Sequence, residues 1–167
     1  MDNEKIRLAF IEAEAFLLAS KHIIETNESI DHFNVTRDLY MSLAFEVNQS
    51  YATEIYLKCF HIAITGKHPR GHHLGNLFEN LPNNIKSELN DHYEKVYSEN
   101  EFRLFDFKKY SLTELINQTG SYFDLARYGF ERDREIRYKY YRLELGVQAI
   151  RDVLLKHYPQ LKEHTFT

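Results

Sequence analysis

The sequence predicts an all-α fold: a bundle of four to five helices in a single domain, residues 1–167. Three observations predict it. The 167-residue chain holds only six Gly and three Pro. Alternating apolar runs of the strand type are few. Apolar residues instead recur three and four apart through most of the length, which is the period of a helix face. The length suits one domain, and a hydrophobic content of 43% is enough for a core and argues against disorder.

The first helix is expected from Asn3 to about Glu25, with Leu8, Ile11, Ala15, Leu18 and Ile23 on its apolar side. Asn27 to Ser29 supply turn residues. A long second helix, capped by Asn34 or Thr36, is expected to reach about Gly66, with a stripe Leu39, Leu43, Val47, Tyr51, Ile55, Cys59, Ile62. A drifting stripe of that length suits the central strut of a bundle. Gly66 fits the left-handed position after a helix end, and Pro69 blocks resumption. KHPRGHH then reads as a loop in which one His caps a short helix from Leu74 to Leu81. Pro82 can open the first turn of the next helix. That helix carries Ile85, Leu89, Tyr93, Val96 and Tyr97 on one face and ends near Glu99. Phe102, Leu104, Phe105 and Phe107 form an aromatic connector. Ser111 and Glu114 make a capping box. The helix they start carries Leu115, Ile116, Tyr122, Leu125 and Ala126 and weakens at Gly129. A last helix runs from about Arg137 to His157, with Leu143, Val147, Ile150 and Leu154 inward, and Pro159 ends it.

Cys59 is the only cysteine, so neither an internal disulfide nor a thiolate metal cage can form. The N-terminus, MDNEKIRLAF, lacks the basic and apolar regions of a secretion signal. No apolar run reaches the roughly 20 residues that span a bilayer. A soluble, cytoplasmic protein with no membrane association is therefore expected. His68, His72 and His73 share one loop with His61 nearby, but three ligands from six residues need an unusual turn, and no Cys or carboxylate completes a set. No metal or other cofactor is expected. There is no phosphate-binding glycine loop, no nucleophile elbow and no dinucleotide fingerprint.

Charge is unevenly spread. The net charge is −4 over the chain. Residues Arg127 to Arg142 hold six cations (Arg127, Arg132, Arg134, Arg137, Lys139, Arg142) against three acids, and five aromatic residues lie among them. Guanidinium groups bind phosphate bidentately and aromatic faces stack on bases, so the stretch suits an RNA or phosphate surface. It equally suits a solvated segment stabilised by Asp133–Arg137 and Glu135–Lys139 pairs. Glu54 and Lys58 form an i,i+4 pair that either fixes register inside the bundle or is a minor surface bridge. Arg151 and His157 could together cleave RNA without a metal. The His would move the 2′-hydroxyl proton and the Arg would stabilise the phosphorane. On a straight helix the two are about 120° and ~9 Å apart, so they would converge only through a bend or a second protomer. His157 also simply continues the stripe to a helix C-terminus, where a cation is favoured.

Three stretches resemble the HEPN superfamily, the all-helical nucleotide- and RNA-associated domains of prokaryotic defence and toxin systems. They are YATEIYLKCF, like a Glu-x-x-x-Lys central helix; GHHLGNLFENL, like a His-x-Leu-x-x-Leu-Phe element; and ARYGFE, like an Arg-Tyr-x-x-Glu segment. The resemblance implies a bundle of four or five helices that pairs as a homodimer. It also implies a metal-independent endoribonuclease when an Arg, a polar residue and a His follow one another at the family's spacing, which RDVLLKH matches with Arg151, Asp152 and His157. A toxin or defence effector acting on RNA, with an antitoxin or other protein as its partner, is the leading expectation. The alternative is a non-catalytic helical dimer that binds a nucleotide or another protein.

Overall fold

A computed structural model of the chain describes residues 3–28, 35–100, 110–119 and 143–166. Among them are six α-helices and no strand: α1 (Asn3–Glu28), α2 (Val35–Thr65), α3 (Leu74–Glu79), α4 (Asn83–Glu99), α5 (Leu112–Thr119) and α6 (Leu143–His157), closed by a 3-10 helix, Pro159–His164. The fold is all-α. No described helix is long and apolar enough to cross a membrane.

The 31-residue α2 is the strut, about 46 Å long at 1.5 Å per residue. α1 runs antiparallel to it, since Ser20 meets Gln49, Glu14 meets Tyr56 and Ile6 meets Cys59. α6 runs parallel to α2: Arg151 joins Tyr56 at Glu14, and His157 lies against Phe60. α4 is antiparallel to α6, with Glu88 beside His157 and His92 beside Asp152. The core between them holds Phe10, Tyr56, Phe60, Phe78, Leu89, Tyr93, Ile116 and Ile150, all essentially inaccessible.

The helix ends follow local chemistry. Gly66 takes φ +69° and its N–H donates to Ile62 O at 2.8 Å, closing α2 in the left-handed cap. The ring of His73 caps α3, with Nδ1 accepting from the Asn76 N–H at 3.4 Å. Ser111 and Glu114 form the capping box: Ser111 N–H donates to Glu114 Oε2 at 2.8 Å, and Glu114 N–H to Ser111 Oγ at 3.2 Å. Pro82 sits one position before α4 rather than in its first turn. α2 begins at Val35, which leaves Thr36 inside the helix, while Asn34 lies outside the described residues. α3 stops at Glu79, two residues short of Leu81. The aromatic connector 102–107, the expected continuation of α5 through Leu125 and the start of the last helix at Arg137 also lie outside the described residues.

Two expected faces are corrected. Leu8 and Leu18 of α1 are 54% and 45% exposed; the buried stripe is Ile6, Phe10, Ala13, Leu17. α1 is apolar on more than one side, and the stripe that wins also carries Glu14 and Ser20, which find partners on α2 and α6. On α2, Leu43 is exposed, while Glu46, Gln49, Ser50, Thr53, Glu54, Lys58 and His61 are buried beside Tyr56 and Phe60. The strut is central because it meets neighbours on several sides, and part of what it buries is polar. By contrast, Ile85, Leu89, Tyr93, Val96 and Tyr97 of α4 and Leu143, Val147, Ile150 and Leu154 of α6 are buried as expected.

Small residues set two close approaches. A Cβ on Gly146 would lie 3.1 Å from Leu115 Cδ2 and 3.2 Å from Leu112 Cδ1, so α5 rests directly on the α6 backbone. A Cβ on Gly75 would meet Asn117 Oδ1 at 2.3 Å. Gly75→Ala is therefore expected to destabilise the fold by about 1–3 kcal/mol through overpacking. Adding Asn117→Ala should restore most of the loss. Urea unfolding of the two single variants and the double variant measures this, and additive losses would refute it.

Candidate functional site

α1, α2, α6 and the C-terminal residues meet at one carboxylate. Glu14 is 2% exposed, and both its oxygens are occupied. Arg151 Nε donates to Oε1 at 2.5 Å and Nη2 to Oε2 at 3.0 Å, a bidentate pair. The Tyr56 hydroxyl donates to Oε1 at 2.5 Å, and the Phe166 N–H to Oε2 at 3.2 Å. The hydrogen bonds that Arg151 donates to Glu14 raise its pKa against the opposing effect of burial, so the cation is secured. Burial, then the charge of Glu14, pushes the Tyr56 hydroxyl up, so it serves as a neutral donor. Arg151 Nη1 lies 4.0 Å from Asp152 Oδ1.

His157 is on the same helix but meets a different acid. Its Nε2 donates to Glu88 Oε2 at 2.7 Å, and Lys156 Nζ donates to Glu88 Oε1 at 2.6 Å. Hydrogen bonds from Lys156 and then His157 hold the Glu88 carboxyl below the usual range. Glu88 and Lys156 border an open groove of about 690 Å³ between α4 and α6, lined also by Asp91, His92, Lys95 and Asp152, among others. In it His92 Nε2 lies 3.3 Å from Asp152 Oδ2. Arg151 thus engages α1 and His157 engages α4. Arg127, Arg132, Arg134, Arg137, Lys139 and Arg142 lie outside the described residues.

A second polar cluster joins α2 to the loop after it. Glu54 and Lys58 are both buried, so the pair belongs to the interior. Lys58 Nζ donates to Glu54 Oε1 at 2.7 Å, and His72 Nδ1 donates to the same oxygen at 2.9 Å. His61 Nε2 donates to Leu77 O at 2.8 Å, tying α3 to α2. Among the described residues no group of three His, Cys, Asp or Glu is arranged to hold a metal ion. Cys59 is buried, and that burial pushes its thiol up to about 12, which leaves it unreactive near neutral pH.

Sequence reasoning singled out Arg151, Asp152 and His157 but not the acids Glu14 and Glu88, nor His92 as the partner of Asp152, nor His72 as a partner of Glu54. One signal was present. In IEAEAF, Glu14 falls four residues after Phe10 and three before Leu17, on the stripe that is buried, whereas Glu12 does not. An acid on a buried stripe must either find a partner or shed its charge.

Comparison with models of protein families, with curated proteins and with solved structures finds no match.

Glu46, about two turns before Glu54 on α2, is 5% exposed, and burial raises its carboxyl to about 8. Between about 4.5 and 8 the folded state keeps a proton that the unfolded state releases, so stability falls as pH rises through that window. Glu46→Gln is expected to flatten this slope and to stabilise the protein at pH 8, as read from thermal melts from pH 5 to 9. An unchanged slope would refute the assignment to Glu46. At the carboxylate hub, Glu14→Ala should cost about 3–5 kcal/mol, because it leaves a half-buried guanidinium unpaired. The double variant Glu14→Gln, Arg151→Met should cost clearly less than the sum of its two single variants in chemical denaturation.

Proposed function

We propose that the chain is a HEPN-like helical module that binds RNA without cleaving it, pairs as a homodimer and works in the cytoplasm. The occupancy of Arg151 carries the non-catalytic part. To present its bidentate Nε–Nη2 edge to a phosphorane, its guanidinium would have to leave a buried carboxylate that it holds through two hydrogen bonds, and its Nη1 side lies 4.0 Å from the acid Asp152. That would strand Glu14 with only Tyr56 and the Phe166 N–H, a cost of several kcal/mol, about the size of a broken buried pair. The HEPN likeness is supported by the meeting of Lys58 and His72 on Glu54, since these residues come from two of the stretches that carry it. The six cations and interleaved aromatics of Arg127–Arg142 supply the RNA-binding chemistry.

A ribonuclease reading has one observation in its favour. His157, 35% exposed by side chain, and His92 each sit against a carboxylate at the edge of the α4–α6 groove, an arrangement able to orient imidazoles for proton transfer. In that reading a toxin held by an antitoxin would use His157 and a released Arg151.

The two readings separate in one set of assays. Binding of single-stranded RNA by anisotropy should weaken linearly on a log–log scale with salt, by roughly 0.7 log units per log unit of salt for each phosphate contact. The triple variant Arg132→Ala, Arg134→Ala, Arg137→Ala should shrink that slope. RNA should stay intact with clean wild-type protein. Cleavage that disappears in His157→Ala would overturn the non-catalytic reading, and salt-independent binding would overturn the RNA partner.

A further inference from the structure

The chain has a second basic region that the RNA-binding stretch does not include. Between Glu54 and Glu79 there is no Asp or Glu, while Lys58, Lys67, Arg70 and four histidines occur. Lys67, Arg70 and His72 are exposed on the loop between α2 and α3. A run of loop cations is ordinarily a solvated surface. Here the loop lies over a buried charge. Lys58 has a side chain only 9% exposed, and among the described residues its ammonium has one acceptor, Glu54 Oε1 at 2.7 Å. An ammonium has three N–H donors, so two are left for a further acceptor. A buried charge with donors to spare is costly unless something accepts them.

His72 completes the geometry. Its Nδ1 lies 2.9 Å from the same Glu54 oxygen, so an ammonium and an imidazole flank one atom. The His72 side chain is 73% exposed, which leaves Nε2 on the open side of the cluster. The neighbouring Gly71 takes φ +92°, and a Cβ there would meet nothing within 4 Å, so the backbone at this point is approachable. Glu54 Oε2 accepts no hydrogen bond among the described residues, since both Lys58 and His72 use Oε1.

We propose that Glu54, Lys58 and His72, with Arg70 on the same loop, form a site for a singly protonated phosphate group. Lys58 donates to phosphate oxygens, His72 does so through Nε2 with the imidazole carrying both protons, Arg70 adds charge, and Glu54 Oε2 accepts the hydrogen bond from the phosphate O–H. Lys58, Arg70 and the doubly protonated His72 against Glu54 leave +2, a match for a phosphate carrying close to two negative charges. The carboxylate makes the site selective. Sulfate has the same shape and charge but no proton to give Glu54 near neutral pH, so its oxygen would face the carboxylate unpaired. The site is independent of the RNA-binding reading and of Arg151.

The test uses the full chain at pH 7 and low ionic strength, in thermal shift and calorimetric titrations with inorganic phosphate, phenyl phosphate and sulfate. Phosphate is expected to raise the melting temperature and to bind at one site, with sulfate at least tenfold weaker. Phenyl phosphate, whose dianion carries no O–H at pH 7, is expected to bind about as weakly as sulfate, and phenyl phosphate binding tighter than inorganic phosphate would overturn the role of Glu54 Oε2. His72→Ala and Arg70→Ala change exposed residues, so the fold persists, and each should weaken phosphate about tenfold. Glu54→Gln should narrow the gap between phosphate and sulfate. The triple variant at Arg132, Arg134 and Arg137 should bind phosphate as wild type does. No phosphate binding, equal binding of sulfate, or full binding by the His72→Ala, Arg70→Ala double variant would overturn the proposal.

Discussion

The buried carboxylate of Glu14 is the constraint on which the arrangement depends. One side chain on α1 takes a phenol from α2, a guanidinium from α6 and a backbone N–H from beyond the last helix. Hydrophobic burial is non-directional and would tolerate α1 and α6 sliding along α2. Four hydrogen bonds to two oxygens do not. Once Glu14 is buried, the alternatives all leave an ion unpaired in the interior, so the penalty for the wrong register exceeds any gain from the right one. The parallel course of α6 along α2 and the return of the C-terminal residues to α1 both follow from it.

α2 carries the same logic along its length. Its buried surface is shared between apolar residues facing α1 (Ala52, Tyr56, Cys59, Ala63) and a polar series (Glu46, Ser50, Glu54, Lys58) recurring every fourth residue. Four-residue spacing places these on one slowly turning line. The members differ in how they are satisfied. Glu54 accepts from Lys58 and His72, whereas burial raises the Glu46 carboxyl to about 8. Two glutamates about two turns apart on one helix therefore sit in different surroundings, a consequence of partners rather than of residue type.

What could be read from the sequence follows from which interactions are local. The capping box at Ser111, the left-handed Gly66 and the cap by a loop histidine depend on residues within four positions, and each was legible. The faces of α4 and α6 were legible because each has a single apolar stripe against a polar remainder. The faces of α1 and α2 were not, because both are apolar on several sides and burial is decided by partners elsewhere in the chain. Leu8 and Leu18 satisfy the helical period as well as Phe10 and Leu17 do, yet they are exposed. Likewise, the Arg151–His157 spacing is a local fact, while Glu14 and Glu88, which decide what the two side chains touch, lie 137 and 69 positions away.

That difference bears on how a sequence match to a catalytic pair should be weighed. An Arg and a His at the right spacing specify donors, but catalysis needs donors left unspent until charge develops in the transition state. Arg151 spends two of its donors on a carboxylate that is itself inaccessible, so the pair is held by the desolvation of both ions rather than by surface attraction. Lys58, more deeply buried than Arg151, spends one donor of three. Arg151 keeps three of its five donors but its bidentate Nε–Nη2 edge is committed to Glu14, whereas two of the three donors of the buried Lys58 ammonium remain for an acceptor. A phosphate drawn to this protein would find a ready ammonium beside His72 and a guanidinium already committed beside Glu14.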